Sequence, residues 1–377
     1  MSKKVLLTAT VQSHICQFHK PLVEILHEKG YEVHVAARDN LVEKNGLKLN
    51  FVEEVYDIPF SRSPKSADNL KAYKQLKKII DTQCYDIIHC NTPMGGIVTR
   101  LAAKSARKRG TKVFYTAHGF HFYKGAPRKN WVIYYPIEKF FARMTDRLIT
   151  ITEEDYQFAS QKFCCEVYRI HGVGVDDKRY FPVDVEKKSA LRDEMGYSDD
   201  EKLILCIGEL LQNKNQQMAI RMMQKLVKKF PKAKLLLAGN GPEKENLEKL
   251  IVELGLQEHV EMLGYCTCLE KYQKIVDVSI SCSIREGLGL NLVEAMLTAN
   301  PIVATRNRGH NELLHDSKNG YLVDLNDINC MYEKITTILS KEELSVRFGN
   351  YGYQFAKKYS FESVKKELKE IYGWNYE

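Results

Sequence analysis

A chain of 377 residues is long enough to bury two hydrophobic cores of ordinary size, and 44% hydrophobic with 28% charged residues describes a soluble globular protein. No uncharged run of about 18 apolar residues is present, which excludes a transmembrane helix. The net charge of +8 is uneven: residues 1–172 hold 27 Lys and Arg against 17 Asp and Glu (+10) and the remainder 29 against 31 (−2), so the first half alone suits an anionic membrane or a phosphate-bearing substrate, and no nucleic-acid motif accompanies it.

The N-terminal lysines precede an apolar run too short for a signal peptide, and residues 4–9 read as a buried strand. A loop over 10–14 leads into a helix over about 18–29 and a strand over 31–36. Strand, helix, strand at this spacing is a βαβ unit, which predicts a parallel sheet with its ligand edge at the strand C-termini. Residues 70–81 form a lysine-rich amphipathic helix and 86–90 a strand. Residues 97–109 form a helix with the basic ending that its dipole favours. After the strand at 112–116, His118 and His121 lie at the functional edge of the sheet, where a loop histidine is either polar surface or part of a site. Residues 124–147 mix Trp131, Tyr134, Tyr135, Phe140 and Phe141 with Lys124, Arg128, Lys129, Lys139 and Arg143. That mixture suits a lipid interface and equally a half-buried helix with snorkelling lysines.

A strand at 147–152 precedes a helix with an acidic start, and the domain boundary falls near Gly172. The second half opens with a strand over 202–207, followed by Gly208, Glu209 and, five residues on, Lys214. A strand at 233–238 turns through Gly239-Asn240-Gly241-Pro242 into a helix. Another at 260–263 ends in Gly264-Tyr265. Strands at 301–304 and 319–323 and an amphipathic segment at 360–372 complete the chain. The ten cysteines are scattered without a C-x-x-C, as reduced core thiols are. No repeat or low-complexity tract appears.

The stretch that organises the second half is 278–299. Residues 278–284 read as a buried strand, Arg285 to Gly289 as a turn, and a helix opens at Leu290. A glycine-bearing turn at a helix N-terminus is an anion site, because the leading amides lack partners and the dipole there is positive. Glu286 and Glu294 flank the turn. A carboxylate repels phosphate, so these two suit sugar and ribose hydroxyls; the plain alternative is an acidic first helical turn.

The frame E-G-L-G-L-N-L-V-E-A-M resembles the E-x7-E signature of the family-4 retaining glycosyltransferases. The resemblance covers nearly the whole chain and implies an α/β GT-B fold of two Rossmann-like domains facing a central cleft. The N-terminal acceptor domain would span 1–172 and the nucleotide-sugar domain 173–355, with a C-terminal helix, about 356–377, crossing back to the first. It implies that Glu286 meets the donor sugar, Glu294 the ribose, and Arg285, Gly287, Gly289, Leu290, Asn291 and Leu292 the diphosphate turn. Gly208 and Lys214 match the family's G-R-L and lysine, with Glu209 in place of the arginine. Gly241 fits its donor loop, and Tyr265 follows the strand whose backbone meets the base. His118 matches the histidine at the acceptor-side floor. The frame A-T-V-x-S-H-I-x-x-F-H-x-P resembles a narrower group that builds bacterial capsule or exopolysaccharide, which implies that His14 and His19 line the acceptor side, the plain alternative being ordinary polar loop and helix residues; His121, in the His118 loop, is a further acceptor-side candidate.

The activity implied is transfer of a sugar, an N-acetylhexosamine above others, from a UDP-sugar to a polyprenyl-diphosphate-linked saccharide. The protein would sit in the cytoplasm against the anionic inner face of the membrane. No Asp-x-Asp occurs, so neither a metal nor another cofactor is expected. The alternatives are a non-transferring UDP-sugar 2-epimerase of the same fold and a non-catalytic scaffold.

Overall fold

The computed structural model describes residues 3–44 and 46–374. The chain divides into two compact units, one of residues 1–174 and 361–377, the other of 175–360.

The first unit alternates strands and helices. In chain order these are β1 (Lys3–Val11), α1 (Gln12–Phe18), α2 (Lys20–Glu28), β2 (Tyr31–Arg38), β3 (Glu54–Asp57), α3 (Asp68–Gln83), β4 (Ile87–Asn91), α4 (Pro93–Ala102), α5 (Lys104–Lys108), β5 (Lys112–Ala117), α6 (Arg128–Ala142), β6 (Arg147–Thr150), α7 (Glu153–Lys162) and β7 (Glu166–Arg169). All seven strands pair in parallel in the order β3-β2-β1-β4-β5-β6-β7. The order reverses at β1, where neighbouring loops diverge and open a crevice at the strand ends. Val5, Leu6 and Leu7 of β1 are fully buried, as central strands covered on both faces must be. One face packs Leu6, Ile88 and Val113 against Leu76 and Ile80 of α3 and Val98 of α4.

Two expectations are corrected here, and one choice between readings is made. The first helix starts at Gln12, straight from β1, and breaks at His19; Pro21 has no N–H to continue the ladder, so α2 begins anew. The helix expected at 97–109 starts at Pro93 and divides at Ala103. The aromatic-basic segment is the helix α6, and its rings separate. Trp131 and Tyr135, four residues apart, pack with Phe122 and Phe158, and Phe141 is buried. Val132, Ile133, Tyr134 and Phe140 face outward. The buried Arg100 guanidinium donates to the Glu138 carboxylate at 3.1 Å and lies 4.0 Å from the Tyr115 ring centre, which fixes the inner face of α6 to α4 and β5.

The second unit contains α8 (Val185–Met195), β8 (Lys202–Ile207), α9 (Gln216–Lys229), β9 (Ala233–Ala238), α10 (Lys244–Glu253), β10 (Val260–Gly264), α11 (Leu269–Ile275), β11 (Val278–Ser281), α12 (Leu290–Leu297), β12 (Ile302–Thr305), α13 (Arg308–Leu313), β13 (Gly320–Val323), α14 (Ile328–Ser340) and α15 (Glu342–Ala356). Its six parallel strands run β10-β9-β8-β11-β12-β13. Methionines 218, 222 and 223 of α9 and Met331, Ile335 and Ile338 of α14 cover one face of the sheet. The helix α16 (Phe361–Ile371) belongs to the first unit. Lys365 and Lys369 pair with Glu24 and Glu28 of α2, Tyr372 shares a 2.6 Å hydrogen bond with the buried His89, and Trp374 packs on Tyr31.

Candidate active site

In the second unit the candidate residues gather where β8 and β11 end. β11 is shorter than the run 278–284 suggests. The Ser283 carbonyl accepts from Thr305 Oγ1 at 2.6 Å and from Asn307 Nδ2 at 2.9 Å, which diverts the backbone out of the ladder. The Ile284 amide then donates to the Asn213 carbonyl, and Asn213 Nδ2 donates to the Arg285 carbonyl. These bonds hold the turn beside Lys214. Lys214 Nζ reaches Glu286 Oε1 at 2.5 Å, with the two side chains 24% and 13% exposed, so the ammonium and carboxylate face each other in a half-buried pocket. Gly208 lies under the Lys214 stem, where a Cβ would stand 3.3 Å from its Cδ. Arg285 and Glu209 are exposed.

Gly289 precedes α12 with φ 94°, a left-handed conformation that favours glycine. Leu292 donates its amide to the Gly289 carbonyl at 3.0 Å, which leaves the amides of Leu290 and Asn291 leading the helix. Asn291 Nδ2 donates to the Ile207 carbonyl at 3.3 Å and ties the helix start to β8. Glu294, one turn further, is pushed up to about 7, chiefly by burial; the Tyr180 hydroxyl donates to it and opposes that rise. Gly241 packs tightly on the Leu210 backbone, and Gly287 lies within the turn itself. Tyr265 is 40% exposed in the loop after β10.

Two residues of this unit were not singled out from sequence. Tyr180, which bonds Glu294, lies in a K-R-Y-F-P run with no spacing rule to mark it. His310 on α13 is fully buried, donates Nδ1–H to the Thr305 carbonyl at 2.6 Å and lies against Gly289. Its neighbour Gly309 presses on Glu286: a Cβ there would stand 2.8 Å from Glu286 Cβ and 3.0 Å from its carbonyl carbon.

In the first unit, His14 on α1, His19 after it and His118 after β5 converge. His14 Nε2 and His118 Nε2 are 3.1 Å apart, and the His19 ring centre is 5.3 Å from His14 and 5.7 Å from His118. Asn91 Oδ1, at the end of β4, is 3.2 Å from His118 Nε2. Burial lowers all three imidazoles, His118 to about 4, and in His14 and His19 the neighbouring rings add to it. They are therefore neutral at pH 7, able to donate or accept a hydrogen bond to a sugar hydroxyl without carrying charge. His121 stands apart, stacked on Tyr134 of α6 with ring centres 4.6 Å apart.

The family model for glycosyl transferases group 1 matches residues 187–355, and that for glycosyl transferase 4-like proteins matches 4–152. The chain is 42% identical over 375 residues to a putative glycosyltransferase, EpsD, of Bacillus subtilis, covering 99% of this chain and 97% of that one. The chain is a family-4 glycosyltransferase. This glycosyltransferase is also 23% identical over 310 residues to the Escherichia coli UDP-Gal:α-D-GlcNAc-diphosphoundecaprenol α-1,3-galactosyltransferase, covering 81% of this chain and 79% of that one. Its GT-B fold is shared with the Anabaena protein HepE, crystallised with UDP and glucose, at a TM-score of 0.78 and 19% identity over 98% and 99% of the two chains. The first family model takes in Lys214, Glu286 and Glu294 of this glycosyltransferase, and the second takes in its three converging histidines.

Proposed function

We propose that this glycosyltransferase moves a sugar, an N-acetylhexosamine above others, from a UDP-linked donor to a polyprenyl-diphosphate-linked saccharide in surface polysaccharide assembly, with retention of configuration. The observation that carries the reading is the Lys214–Glu286 pair beside the Gly289 turn, with Glu294 one helical turn beyond. In transfer, a sugar–oxygen bond breaks while negative charge grows on the departing diphosphate and positive charge on the sugar ring. Lys214 and the leading amides of α12 stabilise the first. Glu286, already neutralised by Lys214, orients sugar hydroxyls without repelling the diphosphate. Glu294 accepts the ribose hydroxyls, and Tyr180 holds its carboxyl in place. His118, neutral, supplies a hydrogen bond to the transferred sugar. The departing phosphate takes the acceptor proton, so neither a separate base nor a metal is required.

Support for the donor and acceptor comes from the E. coli relative, whose name specifies a UDP-sugar and a diphosphoundecaprenol acceptor, and from the UDP bound in HepE. Attachment to an anionic membrane through the first unit is supported by α6. Its exposed Val132, Ile133, Tyr134 and Phe140 alternate with exposed Arg128, Lys129, Lys139 and Arg143. Among the described residues no helix is long and apolar enough to cross a membrane.

The deciding experiment incubates the protein with a panel of UDP-sugars, with and without a polyprenyl-diphosphate saccharide, and analyses the product by mass and by the NMR coupling of its anomeric proton. An α-linked product from an α-linked donor, formed only with acceptor, is expected. Conversion of the donor to an epimer without acceptor, or an inverted linkage, refutes the proposal.

A further inference from the structure

The three converging histidines carry more than a polar contact. Among the described residues, His14, His19 and His118 are the cluster whose ligating atoms all lie within 4.8 Å of one another. A tetrahedral ion with Zn–N bonds of about 2.0–2.1 Å needs nitrogen atoms roughly 3.3 Å apart. The His14–His118 separation of 3.1 Å is already near that value. His19 then has to shift by no more than about 1.5 Å, which side-chain rotation supplies.

His19 is 4% exposed, and its Nε2 is buried without a hydrogen-bond partner among the described residues. A buried polar atom left unmatched is costly unless a ligand meets it. The nearby His89 is different. Its Nδ1 is taken by Tyr372 at 2.6 Å and its Nε2 by Thr116 at 2.7 Å, so it has no atom to offer and serves to pack the sheet. His14 and His118 share their Nε2 atoms with each other and with Asn91, bonds that can be exchanged for a metal.

We propose that His14, His19 and His118 form a binding site for a divalent transition-metal ion of the Zn2+ class, held by three imidazoles with one position open. Imidazole is the ligand such ions favour, and three histidines leave the fourth position for water or a substrate oxygen. The ion is an inhibitor and not a cofactor: on His118 it removes the imidazole from the transferred sugar. This inhibitory consequence, unlike the binding itself, rests on the role proposed for His118.

Tag-free protein, stripped with a chelator, is titrated with Zn2+ by calorimetry and with Co2+ by visible absorption. One equivalent should bind, the Co2+ form should show the intense bands of a four-coordinate site, and His14→Gln and His19→Gln should each weaken binding at least tenfold. His315→Gln, in the second unit, should bind as the parent does. Equal affinity in all variants, or the weak bands of six-coordinate Co2+, overturns the proposal. Should His19→Gln fail to fold, as checked by its melting curve, the less deeply buried His14→Gln and the parent's Co2+ spectrum still decide. Zn2+ should inhibit transfer with the affinity measured by calorimetry. Tight three-histidine binding without inhibition overturns the role of His118 in transfer and leaves the metal site standing.

Discussion

Glu294 offers a sharp test of the nucleotide side because its proton is counted as well as its contacts. Its carboxyl, raised to about 7 by burial, is mostly protonated at pH 6 in the empty site. Two ribose hydroxyls donate best to the ionised form, so binding at pH 6 should expel that proton. About one-eleventh of the sites are ionised at pH 6 and about ten-elevenths at pH 8, a roughly tenfold difference in affinity or about 1.4 kcal/mol. The assay is calorimetry with a UDP-sugar, whose diphosphate diester does not titrate in this range, in two buffers of different ionisation enthalpy. Nearly one proton should be released per ligand at pH 6 and almost none at pH 8, and Glu294→Gln should abolish the difference. The same group makes a stability claim of opposite sense. Its folded value of about 7 lies above the ordinary 4.5, so the folded state binds the extra proton between those values. The contribution of this group to stability is therefore fully present below about 4.5 and is lost as pH rises through 7, by on the order of 3 kcal/mol in full. Glu294→Gln should accordingly melt above the parent at pH 8 and lose that advantage at pH 5. Absence of proton release, or identical release from Glu294→Gln, would refute the assignment of Glu294 to the ribose.

Gly309→Ala should drive a Cβ into Glu286 and its carbonyl; the strain of about 1–3 kcal/mol at the Glu286 turn should lower turnover at least tenfold, and normal kcat would show that the turn tolerates the shift. His118→Ala should cut transfer by about ten- to a thousand-fold while UDP affinity, measured on the same preparation, stays within twofold; a destabilised variant with full turnover per folded molecule would remove His118 from the site. A chelator should leave transfer undiminished, and loss of activity that magnesium restores would contradict the metal-free route. Vesicle flotation should show binding to anionic and not neutral liposomes, weakened by salt and by the paired change Val132→Ser, Ile133→Ser on the outer face of α6; binding unaffected by either would place the contact elsewhere.

Much of this architecture is legible in the sequence where local pattern and tertiary demand agree. The strands at 202–207 and 233–238 read at their observed bounds because each apolar run ends at a glycine; Gly208 lies under the Lys214 stem, and Gly239 packs on the Gly208 backbone, where a Cβ would not fit. The helix start at Leu290 is equally clear, since Gly289 must adopt positive φ before it. Ile284 extends the apolar run of β11, yet it is exposed, because bonds from Thr305 and Asn307 divert the backbone at Ser283. No local pattern announces that. Composition correctly marks α6 as aromatic and basic but does not separate its inner Trp131 and Tyr135 from its outer Val132 and Ile133. The histidine cluster is a matter of topology: His14 and His118 are 104 residues apart and meet because β1 and β5 both flank β4. Tyr180 stays hidden for the same reason, its partner Glu294 lying 114 residues on in α12, whereas His310 bonds the Thr305 carbonyl only five residues away and no spacing rule marks it.

The return of α16 has a consequence for how the protein is made. Tyr372, 283 residues further along the chain, completes the hydrogen bonding of His89 in the middle of the first sheet, and Glu367 pairs with His171. Residues 175–360 are contiguous and can finish folding before α16 is synthesised. The first sheet, although its strands are made earlier, waits for α16 to bury its last surface. Its two chain crossings lie side by side, Val175 donating to the Tyr359 carbonyl at 2.9 Å and Phe361 packing on Gly174. In effect the second unit is an insertion within the first, and a chain cut before Phe361 would hold a contiguous second unit beside a first unit that lacks α16.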